Sequence, residues 1–428
     1  MKFEIQGGKR LSGTVEVSGN KNAALPMIAA SLLSAEETVL ENVPDIADVS
    51  AMLDAARRFG ATVRRDAASG TVAISTPRLK SASIPPELAA KIRTSVLFAG
   101  PLLARSGRAI LPPPGGDAIG HRRLDTHFAG FRALGARASA GRKTLRFSGA
   151  LRGAKMLLDE ASVTATENIL MASVLARGRT EIYNAACEPH VCDLAAMLNS
   201  MGAKIEGAGT NLVRVEGVDS LHGCRARVGS DYIEACSYMA AAAATGGELT
   251  LHNVDPAPLA AIEPAFRRFG VSWTADAKER TVRMPPRRRA RMRYDLGDAI
   301  PSLADGPWPA FPSDLMSVLI VLATQTRGTC LFFEKMFESR LYFVDGLRQM
   351  GAKIVQCDPH RVVVTGSTTL HGGTFASPDI RAGIALVIAA LAAKGRSTIL
   401  EAGVVDRGYA SLETKLRALG ATIERSGE

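Results

Sequence analysis

The sequence predicts an α/β protein of two domains, each built from three copies of one repeated unit. The chain has 428 residues, which is too long for one ordinary hydrophobic core and suits two domains of about 200 residues. Ala-rich helical segments alternate with short β-rich stretches along the whole chain. One short phrase, a large apolar residue followed by glycine and a small residue, recurs six times and defines the unit.

The repeated phrase closes an amphipathic helix and centres on a glycine. Successive glycines are 75, 67, 68, 81 and 69 residues apart. Each follows a helix and precedes a strand, where we expect the left-handed backbone that glycine adopts at the lowest cost. The six positions are Gly60, Gly135, Gly202, Gly270, Gly351 and Gly420.

An Ala-rich helix lies upstream of each phrase, and a short β-rich stretch follows that helix. One unit therefore reads as strand, buried helix, strand, amphipathic helix and strand pair. The breaks between units predict a first domain over residues 21–229. The second domain takes residues 1–20 and 230–428, because the first strand, within 2–19, is expected to join the C-terminal half.

The starts of the Ala-rich helices carry residues that cap helices. Helix N-termini have partial positive charge and unpaired N–H groups, so several converging N-termini would attract an anion. Ordinary capping explains each residue equally well, and both interpretations stay open. The capping candidates are Asn22, Ser162, Ser230–Asp231, Ser313–Asp314 and Asp379.

The formal net charge is +10, and part of it lies in the run RRRARMR over residues 287–293. A nucleic-acid partner would bind to such a basic run through its phosphates. The run lacks interleaved aromatic residues and follows two prolines, so we favour a solvated surface loop and expect no nucleic-acid partner.

The six cysteines are scattered and form no CxxC pair, which indicates reduced thiols and no zinc site. The N-terminus lacks the pattern of a signal peptide. The longest apolar stretch, 382–393, falls short of the roughly 20 residues that a membrane span needs. We therefore expect a cytoplasmic protein with no membrane partner; its oligomeric state stays open.

Seven motifs together resemble one enzyme family. They cover nearly the whole chain in order: VSGNKNAALP (17–26), PGGDAIGHRRLD (114–125), SVTATEN (162–168), PAFPSD (309–314), MFESR (336–340), DIRAG (379–383) and VDRGY (405–409). This set resembles the UDP-N-acetylglucosamine enolpyruvyl transferases of peptidoglycan synthesis, whose sister family is 5-enolpyruvylshikimate-3-phosphate synthase. The resemblance implies two inside-out α/β domains with helices inside and sheets outside. It also implies a mobile lid at residues 111–120, although a rigid turn would need the same prolines and glycines.

The resemblance further implies the reaction and its small-molecule substrates. A sugar hydroxyl attacks C2 of phosphoenolpyruvate, C3 takes a proton, and phosphate leaves. The donor carries a phosphate and a carboxylate, and arginine suits both because its planar, permanently charged fork pairs with them. By resemblance, Lys21 and Asn22 hold phosphoenolpyruvate, Arg122 and Arg407 bind its phosphate, and Arg340 and Arg381 bind its carboxylate. No metal or organic cofactor is implied.

The resemblance assigns the proton transfers to two aspartates, with Lys21 as a further catalytic residue. Asp314 is the base for the acceptor hydroxyl. Asp117 stands where many members of the family have the cysteine that fosfomycin alkylates. A carboxylic acid is ionised at neutral pH, so proton donation by Asp117 requires strong desolvation or a proton relayed from the substrate phosphate. We expect fosfomycin resistance, because a carboxylate is a poorer nucleophile than a thiolate.

The UDP-sugar site is also assigned by resemblance, with two departures from the family pattern. Arg123 stands where proline is usual, and Glu160 stands where lysine is common; Ser339 also replaces a common asparagine. Arg123 and Glu160 preserve the local charge if they face each other, or they indicate a different nucleotide. The predicted site comprises Arg93, Arg122, Arg123, Leu124, Asp125, Thr126, Glu160, Ala161, Ser162, Val163, Asp314 and Met336.

Three other functions are compatible with parts of this pattern. A paralogue with another acceptor, such as UMP, would explain the departures at Arg123 and Glu160. A non-catalytic nucleotide- or nucleic-acid-binding protein on the same fold would not need the full set of cations. The sister activity of the shikimate pathway would share the fold and the donor.

Overall fold

The computed structural model describes residues 1–90, 92–116, 119–287 and 290–427. These residues divide into two compact units. The first unit holds residues 19–116 and 122–229, and the second holds 1–18, 119–121 and 230–427.

The first unit contains helices α1 to α7, and the second unit contains α8 to α13. The helices are α1 (Lys21–Ala30), α2 (Ala47–Arg58), α3 (Pro86–Ala89), α4 (Ala99–Ser106), α5 (Asp125–Ala133), α6 (Val163–Ser173), α7 (Pro189–Ser200), α8 (Tyr232–Thr245), α9 (Ala257–Arg268), α10 (Met316–Thr324), α11 (Val344–Gln349), α12 (Ile380–Ala392) and α13 (Leu412–Ala418). Short 3-10 helices cover Ser31–Leu33, Arg93–Phe98, Leu296–Asp298, Ser313–Leu315 and Ala402–Arg407.

The strands are short, and most alternate between buried and less buried residues. They are β1 (Lys2–Gln6), β2 (Ser12–Glu16), β3 (Thr38–Glu41), β4 (Thr62–Asp66), β5 (Thr71–Ser75), β6 (Arg108–Leu111), β7 (Arg137–Ala140), β8 (Leu145–Ser148), β9 (Lys155–Leu157), β10 (Arg179–Tyr183), β11 (Lys204–Glu206), β12 (Leu212–Glu216), β13 (Arg225–Arg227), β14 (Glu248–His252), β15 (Thr274–Asp276), β16 (Thr281–Met284), β17 (Ser302–Ala304), β18 (Gly328–Phe333), β19 (Lys353–Asp358), β20 (Arg361–Gly366), β21 (Thr374–Ala376), β22 (Arg396–Leu400) and β23 (Thr422–Ser426).

The described strands form six small sheets, three in each unit. In the first unit the strand orders are β13-β3-β5-β4, β6-β8-β7 and β11-β12-β10-β9. In the second unit they are β21-β22-β1-β23, β15-β16-β14-β2 and β17-β18-β20-β19. One sheet for each repeat is the number that the six repeated phrases predict, so the predicted α/β class with six units is confirmed.

The core of the second unit is a bundle of three apolar helices. α8, α10 and α12 pack against one another, and nearly all of their residues are buried. The surrounding strands bury one face only, as in β22, where Ser397 and Ile399 point inward. Helices buried on all sides and sheets buried on one face place the helices inside and the sheets outside.

The first unit repeats this arrangement. Its inner helices are α1, α4 and α6; α4 packs on α6, and the 3-10 helix before α4 packs on α1 and α6. The N-terminal strands lie in the other unit, because β1 pairs with β22 and β23, and β2 pairs with β14. None of the helices in the described residues is both long and apolar enough to cross a membrane.

All six glycines of the repeated phrase have the left-handed backbone that the sequence predicts. Their φ angles run from +74° at Gly270 to +106° at Gly60. At Gly60 a side chain would also meet the carbonyl oxygen of Arg78 at 2.8 Å. The turn from each outer helix into the next strand therefore depends on glycine.

The helix caps follow the prediction only in part. Asp231 and Asp379 cap α8 and α12, and each accepts two backbone N–H groups. Asn22 was the wrong asparagine, because the cap of α1 is Asn20, whose side chain accepts from the backbone N–H groups of Asn22 and Ala23. Ser162 occupies the cap position of α6, but its side chain makes no capping hydrogen bond.

The pair Ser313–Asp314 was also wrong as a cap. These residues form a 3-10 turn whose preceding residue makes no side-chain cap. Their side chains bond to other elements instead: Ser313 to Glu334, and Asp314 to two arginines. These side-chain oxygens therefore bond to groups on other elements and not to the backbone N–H groups of their own turn.

The arginine run over residues 287–293 is not simply a solvated loop. Arg287 donates to the hydroxyl of Thr326 at 2.8 Å and to the carbonyl oxygens of Phe269 and Gln325, both at 3.2 Å. Met292 is buried. Arg288 and Arg289 lie outside the described residues. Arg287 therefore holds the start of this run against the rest of the second unit.

Candidate active site

In the second unit, three of the predicted site residues meet in one cluster. Arg340 Nη2 lies 2.7 Å from Asp314 Oδ1. Arg381 reaches Asp314 Oδ2 through Nη2 at 2.7 Å and through Nε at 3.0 Å. Both guanidinium groups are buried, with side chains 5% and 7% exposed, whereas Asp314 is 27% exposed. One carboxylate thus holds two buried cations next to solvent, and the cluster keeps a net positive charge.

Arg381 is fixed by the start of α12. Its backbone N–H donates to the capping carboxylate of Asp379 at 2.8 Å, and its Nη1 donates to the Tyr409 hydroxyl at 3.2 Å. That hydroxyl also bonds to Ser237 at 2.9 Å. Burial by itself lowers the pKa of Arg381, but the interactions with Asp314, Tyr409 and Asp231 together outweigh it, and the net pKa lies above its ordinary value. Arg381 is therefore a permanent and well-oriented cation.

Arg407 and Met336 belong to the segments that flank this cluster. Arg407 ends a 3-10 helix and is half-buried. The following residue, Gly408, lies so close to α12 that an added side chain would meet Ile380 at 2.8 Å and Arg381 Nη1 at 4.0 Å. Met336 is 40% exposed, and its backbone N–H donates to Glu334.

In the first unit, Lys21 opens α1 as a buried cation. Its Nζ lies 2.7 Å from Asp48 Oδ2 of α2, and both side chains are nearly inaccessible. Asn20 caps the helix just before it, and the neighbouring Asn22 is half-buried. Asp48, which the sequence did not single out, is thus the residue that holds the Lys21 ammonium in place.

Arg93 connects the predicted UDP-sugar residues of the first unit. Its Nη2 donates to the carbonyl oxygens of Arg122 and Arg123. Burial lowers the pKa of Arg93 to about 10, with a further contribution from Arg122, while Glu160 opposes the shift. Arg93 therefore stays charged at neutral pH and holds the segment that carries Arg122.

The two segments predicted to frame the nucleotide are in contact. The Thr126 hydroxyl donates to Asp159 Oδ1 at 2.6 Å and lies 3.4 Å from Glu160 Oε1. Leu124 and Asp125 begin α5, and Ala161 and Ser162 lead into Val163, the first residue of α6. The start of α5 and the start of α6 therefore lie side by side, joined by Thr126.

The two departures from the family pattern, Arg123 and Glu160, share one charged cluster. Arg123 Nε donates to Asp125 Oδ2 at 2.9 Å, and its Nη2 lies 4.0 Å from Asp159 Oδ2. The hydrogen bond and charge of Asp125 raise the pKa of Arg123, with smaller contributions from Asp159 and Glu160. The positive charge of Arg123 is thus offset by several surface carboxylates, and not by Glu160 alone.

His127 and Asn168 support this region and were missed at the sequence level. His127 is fully buried, with Nε2 3.1 Å from the Thr164 hydroxyl and Nδ1 3.0 Å from Asn168 Nδ2. Burial, together with the charge of Arg93, lowers its pKa to about 3, so the imidazole is neutral. In the sequence, His127 and Asn168 appear only as polar residues on the apolar sides of their helices. Ordinary packing produces the same pattern, so it did not single them out.

The predicted lid, 111–120, begins at the last residue of β6. Asp117 lies outside the described residues. Within the second unit, the Ser339 N–H donates to the Ile119 carbonyl at 3.2 Å, and the His121 N–H donates to Glu338 at 2.9 Å. Gly120 has φ +130°, and an added side chain would meet the Glu338 carboxylate at 2.5 Å. These contacts seat residues 119–121 on the MFESR segment.

The described residues hold no cluster of three or more His, Cys, Asp or Glu side chains arranged for a metal ion. Among the predicted site residues that the structure describes, the polar groups of the two units are mainly guanidinium groups, the Lys21 ammonium group and carboxylates. Such a set is suited to binding and orienting small anions.

The chain matches the model of the EPSP synthase (3-phosphoshikimate 1-carboxyvinyltransferase) family over residues 5–416. Among solved structures, it resembles the enolpyruvyl transferase NikO from Streptomyces tendae, with TM-score 0.87, 25% identity and coverage of 99% of this chain and 98% of that one. An EPSP synthase from Acinetobacter baumannii, 20% identical with TM-score 0.76 over 99% of both chains, shares the fold.

Curated relatives named UDP-N-acetylglucosamine 1-carboxyvinyltransferase align over almost the full length. The protein of Treponema denticola is 48% identical over 423 residues, which is 99% of each chain. The protein of Bradyrhizobium diazoefficiens is 47% identical over 428 residues, which is 100% of this chain and 99% of that one. The chain is therefore a transferase that belongs to the UDP-N-acetylglucosamine 1-carboxyvinyltransferase family of enolpyruvyl transferases.

Proposed function

We propose that this transferase moves the enolpyruvyl group of phosphoenolpyruvate to the 3-hydroxyl of UDP-N-acetylglucosamine, with release of phosphate, as the first committed step of peptidoglycan synthesis. The observation that carries the proposal is the cluster of Asp314 with Arg340 and Arg381. It combines a carboxylate that is 27% exposed with two buried cations, at the positions that the resemblance assigns to the base and to the donor's carboxylate. The full-length similarity to curated relatives supports the same assignment.

The donor is proposed to bind through a set of cations that the resemblance assigns to it. Arg340 and Arg381 bind the carboxylate of phosphoenolpyruvate, while Arg122 and Arg407 bind its phosphate with Lys21 and Asn22. Arg340 and Arg381 already hold one carboxylate, that of Asp314, at hydrogen-bonding distance. A second carboxylate can share their remaining N–H groups, since each guanidinium group carries five N–H donors. We further propose that the two units are the two domains of the enzyme.

The chemistry proceeds by addition and elimination. Asp314 takes the proton of the acceptor hydroxyl as its oxygen attacks C2, and an acid delivers a proton to C3. Loss of a C3 proton then expels phosphate from C2 and restores the double bond. We keep Asp117 as the acid that protonates C3, on the resemblance alone. The arginines and Lys21 stabilise the anionic groups throughout, which is electrostatic catalysis by preorganised charge.

The acceptor is proposed to bind along the junction of α5 and α6 in the first unit. Arg93 and Arg122 supply positive charge for the diphosphate, and the residues from Arg123 to Thr126 and from Glu160 to Val163 surround the uridine. The resemblance also assigns Asp314 and Met336 to the sugar. The contact of Thr126 with Asp159 and Glu160 supports this grouping.

The alternative acceptor, UMP, finds no support in the comparisons. The test is phosphate release from phosphoenolpyruvate with UDP-N-acetylglucosamine, UMP and shikimate 3-phosphate in parallel. We expect turnover with the UDP-sugar alone. Faster turnover with either other acceptor would overturn the assignment.

The remaining assignments concern partners and location. We propose that the substrates are these two small molecules, with no nucleic-acid or membrane partner, and that the enzyme acts in the cytoplasm. The six cysteines are free thiols, in keeping with a reducing compartment. Salt-sensitive binding to DNA or RNA would contradict the first part of this proposal.

A further inference from the structure

Two buried carboxyl groups meet behind the Asp314 cluster, at the ends of neighbouring strands. Asp305 follows β17 and Glu334 follows β18. β17 and β18 are parallel, and Ala304 pairs with Phe333, so the next residue of each strand emerges at the same edge of the sheet. Asp305 is 2% exposed and Glu334 is 0% exposed.

The hydrogen bonds around these carboxyl groups leave one oxygen without a donor. Asp305 Oδ1 accepts the backbone N–H of Lys335 at 2.5 Å. Asp305 Oδ2 is fully buried and receives no hydrogen bond from any described residue. The adjacent group is the carboxyl of Glu334. A proton on Glu334 would give Asp305 Oδ2 its missing donor, whereas two ionised carboxylates would repel each other.

Glu334 is also bonded to both segments that carry the Asp314 cluster. The Ser313 hydroxyl, one residue before Asp314, lies 3.0 Å from Oε1 and 2.9 Å from Oε2 of Glu334. The backbone N–H groups of Met336 and Phe337 donate to Oε1, both at 3.1 Å. Arg340 stacks over the Phe337 ring, with its guanidinium carbon 5.3 Å from the ring centroid.

We propose that Asp305 and Glu334 share one proton and act in that state as positioning residues for Asp314 and Arg340. This inference rests on the proposed role of Asp314 as the base. The shared proton joins the two acids, Glu334 holds the Ser313 turn and the 336–337 turn, and these turns present Asp314 and Arg340 to each other. Neither acid is proposed to contact the substrate.

The electrostatic surroundings agree with a proton held at neutral pH. Burial raises the pKa of Glu334 to about 9, the neighbouring Asp305 raises it too, and Arg340 and the Ser313 hydroxyl oppose the shift. The other charged or titratable groups nearby are Asp314 beside Ser313, Lys335 next in the chain, and His360, whose Nδ1 lies 2.7 Å from the Glu334 carbonyl oxygen.

The proposal predicts that deprotonation of the pair impairs turnover at high pH. Two charges in the buried pair would push the carboxyl groups apart and loosen the Ser313 turn. Glu334→Gln keeps the shape and supplies a permanent N–H for Asp305, so it should imitate the protonated pair. Glu334→Ala removes both the shared proton and the two turn contacts.

The first test is kcat and KM against pH for the wild type and the two variants, with Glu263→Gln as the matched control. Glu263 pairs with Arg267 on the surface of α9 and lies outside the proposed machinery. At pH 7.5 we expect Glu334→Gln to retain kcat within about 3-fold, and Glu334→Ala to lose about 10-fold or more, as positioning effects do. We also expect Glu334→Gln to lose the alkaline fall in kcat that the wild type and the control show.

The second test does not depend on activity. A group whose folded pKa is raised stabilises the fold fully below its unfolded value, near 4.5, and this stabilisation is lost as the pH rises through about 9. Urea unfolding should therefore show the wild type losing stability between pH 7 and pH 9.5, and Glu334→Gln losing less. This readout remains if Glu334→Ala fails to fold.

The outcomes separate this inference from the proposed function. An unchanged alkaline limb and an unchanged pH dependence of unfolding in Glu334→Gln would overturn the shared proton. A kcat loss in Glu334→Gln as large as that in Glu334→Ala would show that the ionised carboxylate is needed, which also contradicts it. Full activity in Asp314→Asn would sink the role of Asp314 as the base, while the unfolding experiment would still test the proton.

Discussion

Replacement of Asp314 by asparagine tests the proposed base while it changes the shape of the side chain very little. The carboxylate makes three contacts with Arg340 and Arg381, at 2.7, 2.7 and 3.0 Å. The amide keeps one oxygen acceptor but turns an NH₂ group toward one of the guanidinium groups. It also removes the negative charge that offsets the two buried cations.

The expected losses follow from these contacts. Loss of a general base lowers kcat by about 10²–10⁴-fold. Charge-assisted hydrogen bonds contribute about 1.5–3 kcal/mol each, so the loss of one or two at a partly exposed site should lower the unfolding free energy by about 2–4 kcal/mol. The KM for phosphoenolpyruvate should stay equal or fall, because Arg340 and Arg381 no longer share their charge with a carboxylate.

The assay is steady-state phosphate release at saturating UDP-N-acetylglucosamine, combined with urea unfolding. Asp345→Asn is the matched control, because it makes the same chemical change at an exposed pair with Arg348, 3.3 Å apart. Such a pair contributes about 0–1 kcal/mol, so the control should keep both activity and stability. A kcat for Asp314→Asn within about 3-fold of the wild type would refute its role as the base.

Three further predictions concern other parts of the site. Lys21→Met should abolish activity and cost about 3–5 kcal/mol in urea unfolding, because it breaks a buried ion pair; the double variant with Asp48→Asn should recover stability but not activity, and recovery of both would contradict a role for Lys21 in catalysis. Fosfomycin should leave the enzyme active and unmodified in intact-mass spectra, whereas Asp117→Cys should become covalently inactivated; an adduct on Asp117 would refute this. His127, with its pKa lowered to about 3, stabilises the fold fully above pH 6.5 and loses this contribution as the pH falls toward 3, by up to about 1.4 kcal/mol per pH unit. His127→Asn should flatten the pH dependence of unfolding over that window, and equal slopes would contradict the neutral imidazole.

The parts of the fold that depend on local chemistry could be predicted from the sequence. Each repeated glycine occupies a turn whose backbone other residues reach only at a cost, so Gly60 and its five counterparts mark the ends of the outer helices. Continuous apolar runs likewise indicated the buried helices such as α12. Asp379 and Asp231 were predicted as caps for the same local reason.

The parts that depend on tertiary contacts could not be predicted in this way. Asn20 and Asn22 are equally good caps by residue type, and only the exact start of α1 distinguishes them. Asp314 has the sequence pattern of a cap, but Arg340, later in the same repeat, and Arg381, from the next repeat, bind its carboxylate. The pairing of Asp305 with Glu334 depends on β17 and β18 being parallel neighbours, which no residue pattern in either strand specifies.

Enolpyruvyl transfer is tested most directly by the product formed from phosphoenolpyruvate and UDP-N-acetylglucosamine in deuterated water. We expect an acceptor heavier by one carboxyvinyl group, one phosphate released for each acceptor consumed, and deuterium at C3 of the transferred group. Phosphate released without a carboxyvinyl product, or transfer with no deuterium at C3, would contradict it.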